Sequence, residues 1–356
     1  MVREAREIVR EDVSLALDPL VVALDALRGS AVTVTGGTGF VGTWVAEAVA
    51  HLNDTHDFGT SLSLLSRSAD RFALEHPHLA ARPEVRLVKG DVRHAPDVPR
   101  DTTYLLHAAA NPDTRVHASH PVETMQTIAD GTAAVLNAVR NASDLRMVVN
   151  LSSALAVGTQ PASVERLSED QHSAPPAGSA SSAYAAAKRY GETLCAAVRS
   201  QDHLPVLTVR PFAFVGPFQS LSSPWALNTF LREALAGDPI RVLGSGRTVR
   251  SYLYGSDLAA WLLRIAVAGE SGDCINVGSP EAVDLDTLAR SVARQVEPEP
   301  DIVLNSGRGT TPPEDRLVPD VSRAEGLGLR VTVPLEVALA HTIRWHKAMK
   351  RTGVAA

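Results

Sequence analysis

From residue 31 onward, short apolar runs alternate with longer segments whose apolar residues recur at helical spacing. The runs predict strands at Ala31–Thr35, Ser61–Ser66, Val85–Lys89, Thr103–His107, Arg146–Leu151 and Pro205–Arg210. The longer segments predict helices that include Val41–Leu52, Val122–Asn141 and Ser182–Ser200. Strands without polar alternation suit a parallel sheet that helices cover on both faces. The pattern therefore predicts an α/β fold built on a doubly wound parallel sheet.

The residues before and after these alternating strands and helices show other patterns. Residues 1–29 are predicted to form an N-terminal helical extension, because apolar residues recur there at helical spacing, namely Leu20, Val21, Leu24 and Leu27. This region has no uninterrupted apolar stretch of signal-peptide length, and no stretch of the chain has the length of a membrane span. Gln160–Ser181, rich in Pro, Ala and Ser, is predicted to be a loop over the sheet. Residues 212–356 are predicted to form mainly a smaller C-terminal lobe, with some elements returning to the sheet.

Composition then narrows the classes of function. Of the 356 residues, 45% are hydrophobic and 21% are charged, which is typical of a folded globular protein. A net charge of −6 without a basic cluster argues against a nucleic-acid partner. Two cysteines, Cys195 and Cys274, argue against a disulfide framework and favour a cytoplasmic location without a membrane partner. His117 and His120 share a predicted helix face, but without further clustered ligands they predict no metal site.

A glycine-rich loop joins the first predicted strand to the helix that follows. Gly36, Gly39 and Gly42 stand in a Gly-x-x-Gly-x-x-Gly frame. Glycine allows a tight turn and close backbone approach, while the N–H groups and dipole at the start of a helix favour a pyrophosphate. The frame therefore predicts dinucleotide binding by a Rossmann-type domain over residues 30–211.

The end of the second predicted strand indicates which dinucleotide is bound. Ser66-Arg67-Ser68 lacks the acidic residue that binds the free ribose hydroxyls of NAD, and the guanidinium of Arg67 suits a 2′-phosphate. NADP(H) is therefore favoured as the cofactor, with NAD(H) as the alternative. Asp91, after the third strand, is a candidate contact to the adenine, and a plain turn aspartate is the other interpretation.

A tyrosine and a lysine stand one helical turn apart in a chain that has only five tyrosines and four lysines. Tyr184 and Lys188 are neighbours on one face of a predicted helix. A nearby cation stabilises tyrosinate, so we expect the pKa of Tyr184 to fall below its ordinary value of about 10. Ser152 and Ser153 follow a predicted strand at the edge where open α/β sheets bind ligands, so a hydroxyl there is a candidate donor to a substrate oxygen.

Together these motifs resemble the extended short-chain dehydrogenase/reductases, specifically their nucleotide-sugar epimerase, dehydratase and ketoreductase group, over nearly all of residues 31–347. The resemblance implies Ser153, Tyr184 and Lys188 as catalytic residues, because the group's catalytic hydroxyl lies five residues before the glycine that matches Gly158. Ser152 is then a substrate contact. The implied cofactor-binding residues are Gly36, Thr38, Gly39, Phe40, Val41, Gly42, Arg67, Asp91, Val92, Ala108, Ala109, Lys188, Pro211 and Phe212.

The resemblance continues in the C-terminal lobe. Val242–Leu258 is similar to the group's substrate-lobe signature, in which the position of Arg250 contacts the pyrophosphate of the sugar nucleotide. Arg316 matches a second phosphate-contacting position, and arginine suits bidentate phosphate binding. An exposed solubilising charge is the other interpretation of both arginines. The group's usual pairing of helices across a two-fold axis implies a homodimer that binds a nucleotide-diphosphate sugar.

Departures from the group's pattern bear on the reaction. Ala154 and Leu155 occupy two positions that are acidic in many dehydratases, the second being Glu in decarboxylases, so both chemistries are disfavoured. Val157 and Ile128 replace a Tyr and an Asn of the pattern. The resemblance thus favours NADPH-dependent reduction of a nucleotide-linked keto-sugar, such as a 4-keto-6-deoxyhexose, with Tyr184 as proton donor. A nucleotide-sugar 4-epimerase with retained NAD and a non-catalytic dinucleotide sensor or scaffold are the alternatives.

Overall fold

The structure of the protein, a computed structural model, describes residues 2–94, 96–171, 173, 176, 178–305 and 315–351. The strands in these ranges are β1 (Ala31–Thr35), β2 (Ser61–Ser66), β3 (Val85–Lys89), β4 (Tyr104–His107), β5 (Met147–Leu151), β6 (Val206–Pro211), β7 (Ala213–Val215), β8 (Ile240–Leu243), β9 (Val249–Arg250), β10 (Tyr252–Tyr254), β11 (Cys274–Val277), β12 (Val283–Asp284) and β13 (Ile302–Asn305).

The α-helices in the same ranges are α1 (Arg3–Leu17), α2 (Phe40–His56), α3 (Ala69–Glu75), α4 (Pro77–Ala80), α5 (Thr114–Ser119), α6 (Pro121–Ala138), α7 (Ala183–Asp202), α8 (Ala226–Ala236), α9 (Gly255–Ala268), α10 (Leu285–Ala293), α11 (Ser322–Gly326) and α12 (Leu335–Lys350). No helix in the described part of the chain is long and apolar enough to cross a membrane.

A central sheet of seven strands carries the fold. Its order is β11-β6-β5-β4-β1-β2-β3, and every neighbouring pair is parallel. The six strands predicted from sequence all lie in this sheet, with bounds that match exactly for the first three and to within one residue for the others. The predicted α/β doubly wound fold is therefore confirmed. The seventh strand, β11, comes from beyond residue 211 and extends the sheet beside β6.

Both faces of the sheet are buried along its central strands β4 and β5, which explains why these two strands are almost continuously apolar. Leu64, Leu106 and Val149 belong to the larger apolar core, which includes residues of α2 and α9. Their chain neighbours Leu105 and Val148 belong to a second cluster, which includes residues of α6 and α7. Since successive side chains of a strand point to opposite faces, each strand contributes to both layers.

The chain order of the strands reverses between β1 and β4. Ligands of doubly wound sheets bind outside the carboxyl ends of the strands at this switch point. The loops that follow β1 and β4 touch there: a Cβ at Gly36 would lie 2.8 Å from the carbonyl oxygen of Ala108, and Gly36 has a φ of 68° that favours glycine. The fold thus brings the glycine loop to the edge where a dinucleotide is expected.

The N-terminal extension is helical, but its helices differ from the predicted one. The main helix is α1, whereas the segment predicted to be helical, around Leu20–Leu27, forms two 3₁₀ helices at Asp18–Leu20 and Val22–Leu27. The prediction missed α1 because its dense charges hide a buried stripe that includes Ile8 and Val13. The 3₁₀ segment still buries apolar side chains, and α1 packs against α2, α9 and α12.

A buried carboxylate ties this extension to the rest of the fold. Asp12 is 1% exposed and accepts a hydrogen bond of 2.6 Å from the hydroxyl of Tyr254. Nδ1 of His341, on α12, lies 2.7 Å from the other carboxylate oxygen. A buried charge is retained only where hydrogen-bond partners surround it, so α1 is fastened to two C-terminal elements.

Candidate active site

The glycine loop leads into a helix whose first turn is free to bind an anion. Gly39 is the N-cap of α2 and no side chain caps that helix, so N–H groups at Phe40, Val41 and Gly42 are left without a side-chain partner. Uncapped N–H groups and the helix dipole favour a phosphate. The residues predicted for the pyrophosphate therefore lie where such a group fits.

The glycines of this loop meet different surroundings. A Cβ at Gly42 would lie 2.2 Å from the carbonyl oxygen of Gly37, because the first turn of α2 rests against the loop. A Cβ at Gly39 would contact only the carbonyl oxygen of Gly36, at 3.4 Å. The side of the loop at Gly39 is thus open and would be filled by any larger side chain. That open cradle is what close approach of a dinucleotide requires.

Polar side chains surround the end of β2 next to this loop. Thr38 donates a hydrogen bond of 2.7 Å to the hydroxyl of Ser66. Arg67 has a side chain that is 59% exposed, and its nearest carboxylate contact is a distance of 4.0 Å to Asp91. Asp91 is instead held by Arg93 at 2.7 Å, and that hydrogen bond lowers the pKa of Asp91 to about 2. Arg93 was not among the residues predicted from the sequence, although it stands two residues after Asp91.

Three more predicted cofactor residues pack beneath the site. Val92 is buried, and a Cβ at Gly131 would lie 2.9 Å from it, which explains the glycine in α6. Ala109 lies against Gly36 beside Ala108. Phe212, next to Pro211 at the end of β6, is buried in an apolar cluster under the loop that follows Ser153. These residues shape the site through their packing.

The three residues predicted to be catalytic converge at the carboxyl end of β5. Ser153 begins a 3₁₀ helix at Ala154–Val157, and its hydroxyl accepts a hydrogen bond of 3.2 Å from the N–H of Leu155. Lys188 Nζ donates a hydrogen bond of 2.6 Å to the carbonyl oxygen of Leu151 and lies 6.0 Å from the centroid of the Tyr184 ring. The spacing of Tyr184 and Lys188 in α7 thus directs both side chains to the strand end that carries Ser153.

The expected fall in the pKa of Tyr184 is wrong for this structure. Burial raises the pKa of the phenol, and the hydrogen bond with Ser153 only partly opposes that effect. Lys188 is itself buried, which lowers its pKa to about 8, against the attraction of Glu192. Burial disfavours the charged form of both groups, and the sequence could not show how deep either lies.

His107, at the end of β4, is a buried neutral imidazole beneath the same site. Nδ1 lies 2.7 Å from the hydroxyl of Thr35, and Nε2 lies 3.1 Å from that of Thr132. Burial, together with the charge of Lys188, lowers the pKa of His107 to about 3. The imidazole therefore links β1, β4 and α6 as an uncharged hydrogen-bonding group.

The two predicted phosphate-binding arginines come from adjacent segments of the C-terminal part. Arg316 forms a parallel bridge with Val249, the residue before Arg250. Arg250 is paired with the carboxylate of Asp315 at 2.6 Å, and Nε of Arg316 donates to the carbonyl oxygen of Glu165 at 2.9 Å. The fold brings the backbone segments of the two arginines together, and each side chain has a partner from the protein itself.

Comparison with known proteins identifies the family of this fold and site. The model of the NAD dependent epimerase/dehydratase family matches residues 32–278, from the start of the sheet to the end of β11. The chain belongs to this family. The match confirms the resemblance to extended short-chain dehydrogenase/reductases that act on nucleotide sugars.

Individual relatives of this epimerase/dehydratase family member differ in reaction. The dTDP-4-dehydro-6-deoxy-D-allose reductase of Streptomyces bikiniensis is 28% identical over 91% of this chain and 98% of its own. UDP-glucuronic acid decarboxylase 1 of Xenopus tropicalis is 26% identical over 89% and 72%. The structure of epimerase Mth375 from Methanothermobacter thermautotrophicus aligns with a TM-score of 0.78 at 20% identity, covering 94% and 97% of the two chains.

One site residue of this family member that the sequence did not reveal is His117, which packs against Tyr184. The ring of His117, on α5, stacks on that of Tyr184 with 4.3 Å between centroids and 15° between planes. Nε2 of His117 lies 2.7 Å from the carbonyl oxygen of Asn111. From the sequence His117 was expected to be a surface or packing residue and not a metal ligand, and nothing in its spacing indicates a contact with a residue 67 positions away.

A buried ion pair next to the catalytic residues was missed as well. Glu192, one turn after Lys188, binds the guanidinium of Arg210 at 2.8 and 2.9 Å. Ser152 donates a hydrogen bond of 2.6 Å to the same carboxylate. Ser152 stays a predicted substrate contact, but its hydroxyl proton is already donated within the protein. The i, i+4 spacing of Lys188 and Glu192 is the signal that could have located Glu192.

Proposed function

We propose that the protein reduces a nucleotide-linked keto-sugar, of the 4-keto-6-deoxyhexose type, with NADPH as reductant. The observation that carries the proposal is the arrangement of Tyr184, hydrogen-bonded to Ser153 and one turn before buried Lys188, at the carboxyl end of β5. A reductase needs a proton donor at the oxygen that becomes an alcohol, and protonated Tyr184 is such a donor.

Tyr184, Ser153 and Lys188 would each have a separate role in the reduction. A bound nicotinamide supplies the hydride for the carbonyl carbon. Tyr184 donates its proton to the carbonyl oxygen, so that ketone, hydride and proton together yield the alcohol. Ser153, whose oxygen accepts the N–H of Leu155 and whose side chain is hydrogen-bonded to Tyr184, would turn its hydroxyl proton to the carbonyl oxygen and stabilise negative charge there. Lys188 binds the nicotinamide ribose and stabilises the tyrosinate left after proton transfer.

The preference for NADPH rests on Arg67. Its guanidinium is largely exposed, and its nearest carboxylate contact is a single distance of 4.0 Å to Asp91. Arg67 directly follows Ser66, the last residue of β2, to which Thr38 of the glycine loop donates a hydrogen bond. A 2′-phosphate would find a cation there without first breaking a close ion pair. The family name points to NAD, so a direct comparison of the two dinucleotides is part of the test.

The sugar nucleotide would be anchored by Arg250 and Arg316. Their adjacent backbone segments support diphosphate binding, with Asp315 exchanged for the phosphate as partner of Arg250. Anchoring the remote diphosphate places the sugar carbonyl at the tyrosine. The relative from S. bikiniensis, whose name describes a 4-dehydro-6-deoxy sugar as substrate, supports the choice of keto-sugar. Apolar Ala154 and Leu155 leave no carboxylate there to assist the decarboxylation for which other relatives are named.

A nucleotide-sugar 4-epimerase with retained NAD is the second candidate. The same Tyr184 and Lys188 would serve it, and the family name includes epimerases. A non-catalytic dinucleotide sensor on the same fold is disfavoured, because a sensor has no need of a proton donor beside a buried lysine. Cofactor content and turnover separate the three candidates. An epimerase carries stoichiometric NAD and interconverts sugar nucleotides, the reductase consumes added NADPH, and a sensor binds a dinucleotide without hydride transfer to any sugar nucleotide.

The test compares two tyrosines of one helix. Substrates are first selected by thermal shift from UDP-, TDP-, GDP- and CDP-sugars, because ligands of the native state raise its stability. NADPH oxidation at 340 nm is then followed with the matching keto-sugar. We expect Tyr184→Phe to lower turnover by about 10²-fold or more, the range of general acid catalysis. Tyr190→Phe, at a tyrosine that is 49% exposed, is the control. Equal turnover of both variants would overturn the mechanism.

A further inference from the structure

Three side chains outside the candidate active site converge where the N-terminal extension meets the end of α2. Nε2 of His51 lies 2.8 Å from Oδ1 of Asp18, and Nε2 of His56 lies 2.9 Å from the same oxygen. All three ligand atoms lie within 4.8 Å of one another. No other group of three such side chains is this close in the described ranges.

Separate parts of the fold hold these groups in place. His51 and His56 lie in the last two turns of α2, and Asp18 opens the 3₁₀ helix directly after α1. Arg28 donates hydrogen bonds of 2.8 and 3.1 Å to the carbonyl oxygens of His56 and Asp57, which fixes the end of α2. The site is therefore organised by the fold, and not by neighbouring residues in sequence.

The cluster of Asp18, His51 and His56 is open to solvent on the side of Asp18. The side chain of His51 is 8% exposed and that of His56 is 25% exposed, whereas Asp18 is 42% exposed. An ion can enter from the Asp18 side, where water is available to complete its coordination. Ser14 donates a hydrogen bond to Oδ2 of Asp18, which orients the carboxylate with Oδ1 toward the imidazoles.

The donor set selects the class of ion. Two imidazole nitrogens and one carboxylate oxygen suit Zn²⁺, Co²⁺ or Ni²⁺, whereas Ca²⁺ and Mg²⁺ prefer oxygen ligands. Bonds of about 2.0–2.2 Å to zinc hold such ligands about 3.3 Å apart in a tetrahedral site. The observed separations of 2.8 and 2.9 Å need to open by only about half an ångström.

We propose that Asp18, His51 and His56 bind one divalent transition-metal ion of the zinc class, which fastens the N-terminal extension to α2. The sequence predicted no metal site, because its two cysteines show no metal-ligand spacing and His117 and His120 have no further clustered ligands. His51 and His56 stand five positions apart in α2, and the third ligand, Asp18, lies 33 and 38 residues before them. The histidine pair by itself does not complete a site, and only the fold adds the carboxylate.

The ion would stabilise the fold without acting in the reaction. The glycine loop lies at the first turn of α2, and the site lies at its last turn. Seventeen residues at about 1.5 Å each separate the two ends by roughly 25 Å. The proposal is therefore independent of the proposed enzymatic function, and its test does not use activity.

Cobalt spectroscopy reports the ligands directly. Untagged protein, stripped of metal with a chelator, is titrated with Co²⁺ while visible absorption is recorded. We expect one equivalent of Co²⁺ to give bands stronger than those of the hydrated ion, and Zn²⁺ to abolish them. His51→Gln with His56→Gln is expected to weaken binding at least 100-fold. His203→Asn is the matched control, because this histidine is exposed and its φ of 56° suits asparagine.

Thermal unfolding tests the role in stability. Zn²⁺ at 100 times its dissociation constant should raise the melting temperature of the wild type and of His203→Asn by about 4 °C, and leave the double variant unchanged. Asp18→Asn, which preserves a hydrogen-bond acceptor, provides a second variant should the double variant fail to fold by circular dichroism. It is expected to weaken Co²⁺ binding at least tenfold. Absorption no stronger than that of hydrated Co²⁺, or equal binding by wild type and Asp18→Asn, would overturn the proposal.

Discussion

At the scale of single residues, burial decides the protonation of the candidate site. It raises the pKa of Tyr184 and lowers those of Lys188 and His107, to about 8 and about 3. Near neutral pH the phenol therefore holds its proton, the imidazole is neutral and the ammonium is charged at a cost in solvation. This state suits proton donation by Tyr184.

The buried charge of Lys188 should make stability depend on pH. The unfolded chain holds this proton up to about pH 10.5, whereas the folded protein releases it at about 8, so rising pH favours the folded state between these values. Relative to Lys188→Met, the free energy of unfolding of the wild type should increase by about 2 kcal/mol from pH 7.5 to pH 10. Urea denaturation at the two pH values measures the change. A constant difference would show that Lys188 is not desolvated.

The Glu192–Arg210 pair should be costly to break. Arg210 is 6% exposed, so Glu192→Gln leaves its charge without a counter-ion and should lower the free energy of unfolding by about 3 kcal/mol. Arg210→Met should cost a similar amount, and the double variant less than the sum. Glu123→Gln, at an exposed carboxylate 3.9 Å from Arg93, is a control expected to change stability by less than about 1 kcal/mol. Additive losses would contradict coupling of the pair.

Among the secondary-structure elements, the turn from β1 to α2 contains one glycine that packing requires, Gly42, and one that faces the expected dinucleotide, Gly39. Gly42→Ala places a Cβ 2.2 Å from the carbonyl oxygen of Gly37 and should destabilise the fold by about 2 kcal/mol or more. Gly39→Ala meets no such clash, so it should retain stability and lose about tenfold or more in dinucleotide affinity by filling the cradle. Thermal unfolding and NADPH fluorescence measure the two effects. Equal dinucleotide affinity of Gly39→Ala and wild type would place the pyrophosphate elsewhere.

The strands and helices that were predicted correctly are those that the residues of the segment itself specify. The strands β1, β2 and β3 were predicted to the residue, because unbroken apolar runs end there at turn residues. In α1, many charged residues stand between the buried apolar residues, so the helical spacing of those apolar residues was not recognised in the sequence. The segment Val22–Leu27 has helical spacing but adopts a 3₁₀ conformation, a distinction that packing decides.

At the scale of the whole molecule, the predicted homodimer can be tested on the paired helices α6 and α7. Apolar or aromatic side chains are exposed there, with Val122 and Met125 at 69% and 43% and Tyr190 at 49%. Met125→Glu with Tyr190→Arg should convert the dimer to a monomer in light scattering after size exclusion, because charges are costly to bury in an interface. Leu243→Glu, at a residue that is 74% exposed in the C-terminal part, should leave the dimer intact. A monomeric wild type would contradict the prediction.

The order and spacing of residues were sufficient to predict the parallel sheet, the glycine loop and the Tyr184–Lys188 pair. These features depend on local spacing, which apolar periodicity and helix geometry convert directly into structure. Three further features arise from tertiary packing: the burial that shifts the pKa values of Tyr184 and Lys188, the binding of Ser152 and Arg210 by Glu192, and the contact of Asp18 with two histidines at the end of α2. Those outcomes depend on residues far apart in the chain and on how deeply the fold removes them from water, and local pattern specifies neither.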